Sequence, residues 1–251
     1  MPDPILLRRS DGAVARLTLN DPDHANVLSG AMMAALIEAL DALGGAPAVR
    51  AIVLSAAGRI FCAGHDLAEL RARNDETVHA QLFAQCSTLM LAIKACPKPV
   101  IARVQGAAVA AGCQLVASCD LAYAADTARF AVSGIDLGLF CSTPGVALSR
   151  AVGRKDALEM LLTGRFVGAP EAAAMGLINR AVPIDELEAV VDQAAHAIAA
   201  KAPDAITLGK AVFHRQIELG LDGAYQVASE AMVENLGFEN AKSGIDAFLK
   251  R

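Results

Sequence analysis

The seven residues Gly106-Ala107-Ala108-Val109-Ala110-Ala111-Gly112 carry no side chain larger than valine. They follow closely on an apolar run, Val100-Ile101-Ala102-Arg103-Val104, that reads as a buried strand broken by Gln105-Gly106. Helical spacing resumes at Cys113 and runs to Asp120. Side chains this small let another backbone, or a ligand, come close. A strand, a small-residue turn and a helix N-terminus present free N–H groups outward. That outlines an anion or oxyanion pocket. On this stretch alone, tight packing of a buried helix explains the small residues better.

A second stretch changes the balance. Ala51-Ile52-Val53-Leu54-Ser55 is another buried-strand run, and it leads into Phe61-Cys62-Ala63-Gly64-His65-Asp66-Leu67-Ala68-Glu69-Leu70. This is again strand, glycine turn, helix start. Asp66 suits an N-cap, and Glu69 three residues later has the form of a capping box with Asp in the cap position. Two such turns, each offering one backbone N–H, would hold one developing oxyanion between them.

The rest of the chain supplies the frame. Residues 5–9 and 14–20 alternate around Ser10-Asp11-Gly12 and read as a hairpin. The polar turn over 20–28 leads into a helix capped by Ser29 and ended by Gly44-Gly45. Residues 71–77 are polar and aperiodic, which predicts a mobile segment. Helical spacing covers 78–95 and stops at Cys96-Pro97-Lys98-Pro99. Residues 121–125 and 129–132 are short strands. From Pro144 onward the pattern is helical, ending in helices over 185–201, 204–219, 222–236 and 239–250. Strands alternating with helices predict an α/β fold with crossover connections. The core region is taken as 1–183 and the C-terminal helical region as 184–251, one structural unit.

Composition narrows the partners. The formal net charge is −5 with no basic block, so nucleic acid and anionic membranes are poor partners. No apolar run is long enough to span a bilayer. The first residues show neither a secretory h-region nor an Arg/Ser-rich transit pattern, which predicts a cytoplasmic protein. The six cysteines form no Cys-x-x-Cys pair and read mostly as small buried hydrophobes, with Cys62 and Cys113 bordering the two turns. The five histidines show no zinc spacing, so no metal is expected.

Phe61-Cys62-Ala63-Gly64-His65-Asp66-Leu67 resembles the Phe-x-Ala-Gly-x-Asp-Leu turn of the enoyl-CoA hydratase/isomerase, or crotonase, superfamily. Residues 106–120 resemble that family's second turn. The resemblance extends over nearly all 251 residues. Two stretches, residues 110–120 and 138–148, are similar to the subgroup called enoyl-CoA hydratase domain-containing protein 3. The resemblance implies a spiral of ββα units with a helical C-terminal trimerisation region. It implies homotrimers, commonly paired into hexamers, an acyl-CoA thioester substrate, and no cofactor apart from the coenzyme A of that substrate. It also implies two oxyanion donors, the backbone N–H groups of His65 and Ala111. Coenzyme A contacts carry over to Ala25, Ala63, Asp66, Leu67 and Gly112, and at the chain end to Phe248 and Arg251.

An oxyanion hole stabilises an enolate more than the ground state, but acid and base groups choose the reaction. The family's two hydratase glutamates fall at Gln114 and Gly134. Glutamine carries no proton at neutral pH, and glycine brings only space. Three substitutes stand in reach of the sequence. Asp136 would share the face of position 134 if the segment were a strand. Ser142, beside Cys141, falls where some family members place an aspartate. The side chain of His65 lies at the first turn and titrates near neutrality. Three readings follow: an enoyl-CoA hydratase or isomerase, a thioester enzyme of another reaction (hydrolysis, decarboxylation or double-bond isomerisation), and a non-catalytic acyl-CoA-binding protein.

Overall fold

The computed structural model describes residues 3–72 and 75–250. An antiparallel hairpin of β1 (Leu6–Asp11) and β2 (Val14–Leu19) opens the chain. A 3-10 turn, Pro22–His24, leads to α1 (Gly30–Gly45). Ser29 caps that helix as expected, its Oγ accepting the Met32 N–H at 3.2 Å. Next come β3 (Ala51–Ala56), β4 (Ile60–Cys62), α2 (Leu67–Ala72) and α3 (Glu76–Ala95). They are followed by β5 (Val100–Val104), β6 (Ala107–Val109) and α4 (Ala111–Ser118). The third unit is β7 (Leu121–Ala125), β8 (Arg129–Ala131), a 3-10 turn over Ser133–Leu137, and α5 (Ser142–Ala151). The chain continues through α6 (Arg154–Thr163), β9 (Val167–Gly168), α7 (Ala169–Ala174) and β10 (Arg180–Val182). It ends in α8 (Ile184–Ala199), α9 (Pro203–Gln216), α10 (Leu221–Leu236) and α11 (Glu239–Leu249).

Two sheets result, in the orders β1-β2-β3-β5-β7-β10 and β4-β6-β8-β9. Three times the chain lays one strand in the larger sheet, the next in the smaller sheet, and then a helix. Each pass moves one place along both sheets, which is the ββα spiral. From β2 to β10 every pairing in the larger sheet is parallel. Strands covered on both faces need apolar residues throughout, and β3 is buried at every position except Ser55. Phe61, Phe130, Met32, Leu89 and Ile101 are fully buried in the core.

The first C-terminal helix is part of that packing. Leu187, Val191 and Ala195 of α8 are buried, and Arg16 of β2 pairs with Glu188 at 2.9 Å and with Asp192. Lys210 of α9 donates to the carbonyls of Ile93 (2.9 Å) and Lys98 (3.1 Å) and pairs with Asp120 at 2.6 Å. The last two helices differ. Leu221, Tyr225, Val233 and Phe248 each leave roughly 70% of their surface exposed. Among the described residues no helix is long and apolar enough to cross a membrane.

Two expectations need correction. Residues 107–109 are not turn but β6, paired parallel with β4 and β8. Three small residues carry too little pattern to announce a strand that forms only through distant partners. The segment over 71–77 is largely helical at its ends: Arg71 and Ala72 close α2, and Glu76 and Thr77 open α3. Asp75 starts α3, its Oδ1 accepting the N–H groups of Thr77 (2.8 Å) and Val78 (3.2 Å). A good cap organises an exposed helix end that hydrophobic spacing does not mark. Residues 73 and 74 lie outside the described part.

Candidate active site

The two small-residue turns meet. Gly64 has φ +98°, and a Cβ there would lie 3.0 Å from the Val109 carbonyl oxygen, 3.0 Å from the Ala110 Cβ and 3.2 Å from the Ala111 nitrogen. Gly112 is held closer still: a Cβ there would stand 2.2 Å from the Cys62 carbonyl oxygen. Small residues are therefore required for the turns to approach at all. The His65 N–H and the Ala111 N–H have no hydrogen-bond acceptor among the described residues. Ala111 opens α4, where an N–H has no intrahelical partner. The neighbouring amides are occupied, Ala110 N–H by the Ala131 carbonyl at 2.8 Å and Ala63 N–H by the Ala25 carbonyl at 3.1 Å.

Residues 25–28 run alongside the first turn. Leu28 N–H donates to the Gly64 carbonyl at 2.7 Å. Asn26 is fully buried and fully used. Its amide donates to the carbonyls of Ala57 (2.9 Å) and Ile60 (2.8 Å), and its oxygen accepts the Asp21 N–H at 2.9 Å. Sequence reasoning gave this asparagine no role, although a polar residue in a turn before an apolar helix is the signal of a buried turn fastener. Ala25 and Asn26 both take positive φ, 55° and 52°.

Asp66 behaves as a cap, its Oδ1 accepting the N–H groups of Ala68 (2.9 Å) and Glu69 (3.1 Å). The capping box is only half present. The Glu69 carboxylate turns away from Asp66 and accepts the Gly30 N–H at 2.9 Å, serving the start of α1. A free helix N-terminus nearby attracts a carboxylate as well as the cap residue does. Leu67 starts α2 half exposed.

Gln114 is buried on α4, where the Cys86 thiol donates to its Oε1 at 3.8 Å. A cavity of about 440 Å³ is lined by Gln114, Ser118, Met90, Val146, Ala147 and His214, among others. Gly134 is not an empty space. A Cβ there would lie 2.6 Å from the Leu139 carbonyl oxygen and 2.7 Å from the Cys141 Sγ. The Gly134 N–H donates to that sulfur at 3.3 Å. The thiol of Cys141 thus fills the direction in which a side chain at 134 would leave the backbone.

The other substitutes lie elsewhere. Asp136 is in the 3-10 turn over Ser133–Leu137, not on a strand, and so does not share the face of residue 134. Its carboxylate lies against Gly164, 3.0 Å from where a Cβ would be. Ser142 is exposed at the start of α5, and its hydroxyl donates to the Phe140 carbonyl at 3.4 Å. Neither makes a hydrogen bond to Gln114 or to the two turns. Phe248 belongs to a different cavity, about 410 Å³ between α10 and α11, with Met232, Leu236 and Ile245. Arg251 lies outside the described residues.

The thiols beside the turns are inert. Burial pushes Cys62 and Cys113 up to about 12 and Cys86 up to about 11. Burial also raises Cys141, with the Gly134 N–H pulling the other way. A thiol is nucleophilic only as thiolate. His65 is shifted down, burial outweighing the Leu28 carbonyl and Glu69, which favour the charged form.

Residues 9–251 match the family model described as enoyl-CoA hydratase/isomerase. The chain belongs to that family, the crotonases, and has their mixed α/β fold with a helical C-terminus. Within it, the chain is similar to the domain-containing protein 3 subgroup. It is 44% identical over 250 residues to the human "Enoyl-CoA hydratase domain-containing protein 3, mitochondrial", covering 100% of this chain and 82% of the human one. A crystal structure of that human protein superimposes with a TM-score of 0.96 at 43% identity, covering 98% of each chain. A crystal structure of an enoyl-CoA hydratase from Mycobacterium smegmatis gives 0.97 at 53% identity, covering 99% of this chain and 97% of that one. These names correct the cytoplasmic expectation. The human protein and its frog and mouse counterparts are all called mitochondrial. The opening residues of the sequence carry no information on compartment.

Proposed function

We propose that the protein acts on acyl-CoA thioesters by stabilising an enolate between the His65 and Ala111 N–H groups. One observation carries this reading: two unpartnered backbone N–H groups stand on adjoining turns that only small residues allow to meet. Charge that develops on a thioester oxygen there would gain two fixed donors, each typically worth about 3 kcal/mol in the transition state. Ala25, Ala63, Asp66, Leu67 and Gly112 would hold the coenzyme A portion around the first turn. Phe248 and Arg251 would reach its adenine end. The apolar surfaces of α10 and α11 favour a homotrimer or a pair of trimers, in which a chain end would meet the site of a neighbour.

The reaction is better assigned to proton transfer at carbon than to addition of water. Hydration in the family uses two glutamates, here Gln114 and Gly134. A side chain at the second would run into the Cys141 sulfur and the Leu139 carbonyl. Slow or undetectable hydration of crotonyl-CoA is the expectation. A crystal grown with acetoacetyl-CoA tests the binding claim. The thioester oxygen is expected within hydrogen-bond reach of both N–H groups. Density for the acyl group elsewhere, with these two amides uncontacted, overturns it.

A further inference from the structure

We infer that the His65 imidazole is the proton acceptor of this site, its Nε2 taking the α-proton of the bound acyl thioester. The inference rests on the proposed placement of the thioester oxygen at the His65 and Ala111 N–H groups.

The ring is fixed on two sides. Its Nδ1 faces the Leu28 carbonyl at 3.4 Å. A carbonyl oxygen accepts only, so Nδ1 carries the hydrogen and Nε2 the lone pair. The ring packs edge-on against Phe83 of α3, centroids 5.4 Å apart at 90°. Nε2 is buried and makes no hydrogen bond among the described residues. A buried acceptor left unpaired calls for an explanation, and a catalytic role is one of those available.

The ring and Gln114 meet the same face of α3. Phe83 and Cys86 are three residues apart and share one face of α3. Phe83 touches His65, and Cys86 touches Gln114. The imidazole and the Gln114 amide therefore lie along one stripe of α3, about one turn apart. The α-carbon of a thioester is two bonds from the oxygen that the His65 N–H would hold. One residue would then stabilise the oxygen with its backbone and take the proton with its side chain.

The step balances without a co-reactant. The α-C–H electron pair becomes the enolate double bond, and the carbonyl π pair moves to oxygen. The proton converts imidazole to imidazolium. Its return to the α-carbon gives exchange with solvent, and its delivery to the γ-carbon of a 3-enoyl chain gives a shifted double bond. Glu69 of α2 is the charged group facing the ring. From α3 the ring meets Phe83, and from residues 25–28 the Leu28 carbonyl. A downshifted imidazole stays neutral, and able to accept, at pH 7.

The test uses 3-butenoyl-CoA in deuterated water, with mass-spectrometric readout of deuterium uptake and of conversion to crotonyl-CoA. Binding is measured in parallel by calorimetry. The wild type is expected to exchange, with a rate that rises with pH through one group below 6.5 and then levels. His65→Gln and His65→Asn keep the backbone N–H. Each is expected to lose about 100-fold or more in exchange while binding changes by less than about threefold. Exchange by both variants at the wild-type rate overturns the inference, as does a wild type that binds without exchanging. A wild type that does not bind 3-butenoyl-CoA overturns the placement of the thioester instead.

Discussion

The two turns and the region around Gln114 and Gly134 are built on different principles. The turns are made of backbone. Gly64, Ala110, Ala111 and Gly112 bring two chain segments into contact, and the free Ala111 N–H follows from where α4 begins. The neighbouring region depends on side chains, and no carboxylate stands at residues 114 and 134. Gln114 bonds a thiol, and the direction a carboxylate would take from residue 134 is filled by Cys141. A backbone pocket is protected because the fold needs the same contacts. A side-chain acid is not, since its loss leaves the sheets and helices in place. Binding and enolate stabilisation are thus expected to outlast the family's hydration chemistry.

The sharpest way to break this contrast is to disturb the backbone pocket. Gly112→Ala puts a methyl group 2.2 Å from the Cys62 carbonyl, which cannot swing aside as a side chain can. A loss of about 3 kcal/mol in denaturant unfolding is expected. A change below about 1 kcal/mol would mean that the turns have room to spare.

Next in size is an attempt to rebuild the side-chain region. Gln114→Glu combined with Gly134→Glu puts carboxylates at the two positions where the resemblance expects them, in sequence but not in space. The glutamate at 134 must displace Cys141 and the Leu139 carbonyl, at a cost of about 2 kcal/mol. Crotonyl-CoA hydration is expected to stay near the wild-type level. A gain of 100-fold or more in a stopped assay would show that the 133–141 segment repacks easily.

Much of the backbone half was legible in the sequence. The hairpin, the Ser29 and Asp66 caps and the Gly64 turn are local patterns, and each stands where the pattern put it. What escaped was non-local. β6 exists through its pairing with β4 and β8. Glu69 serves α1, 39 residues earlier, in place of its own cap. Asn26 is defined by carbonyls more than 30 residues away. The side-chain half was legible only as absences. Gln114 and Gly134 announced missing carboxylates, but nothing in the sequence near 134 says that the Cys141 sulfur lies against it.

Within the backbone half, the two turns are unequal. Gly64 takes its positive φ without penalty, while Ala110 is held at φ 49°, ψ −116°, a conformation that a Cβ disfavours. Ala110→Gly is expected to stabilise the protein by up to about 1 kcal/mol, read as a higher melting temperature with unchanged acyl-CoA affinity. A lower melting temperature would mean that the Ala110 methyl contributes more by packing on Gly64 than its backbone loses by strain.

The smallest expected effect contrasts the half-buried histidine of the first turn with an exposed one nearby. Burial lowers the pKa of His65 below 6.5, whereas Asp21 raises that of His24. Above pH 6.5 His65 is neutral in both the folded and the unfolded chain and contributes no slope. As the pH falls below 6.5 the unfolded chain takes the proton first, so His65 makes stability decline, until its folded pKa is reached. His24 works in the opposite sense. Its contribution is fully present below 6.5 and fades as the pH rises through its raised folded value. Melting temperatures measured between about pH 5 and pH 8 separate the two. His65→Gln is expected to flatten the decline below pH 6.5, and His24→Gln to remove the gain in stability that the wild type shows as the pH falls toward 6.5. If His65→Gln leaves the acid limb unchanged, the imidazole is not held neutral by burial, and its unpaired Nε2 must be reached by water in solution.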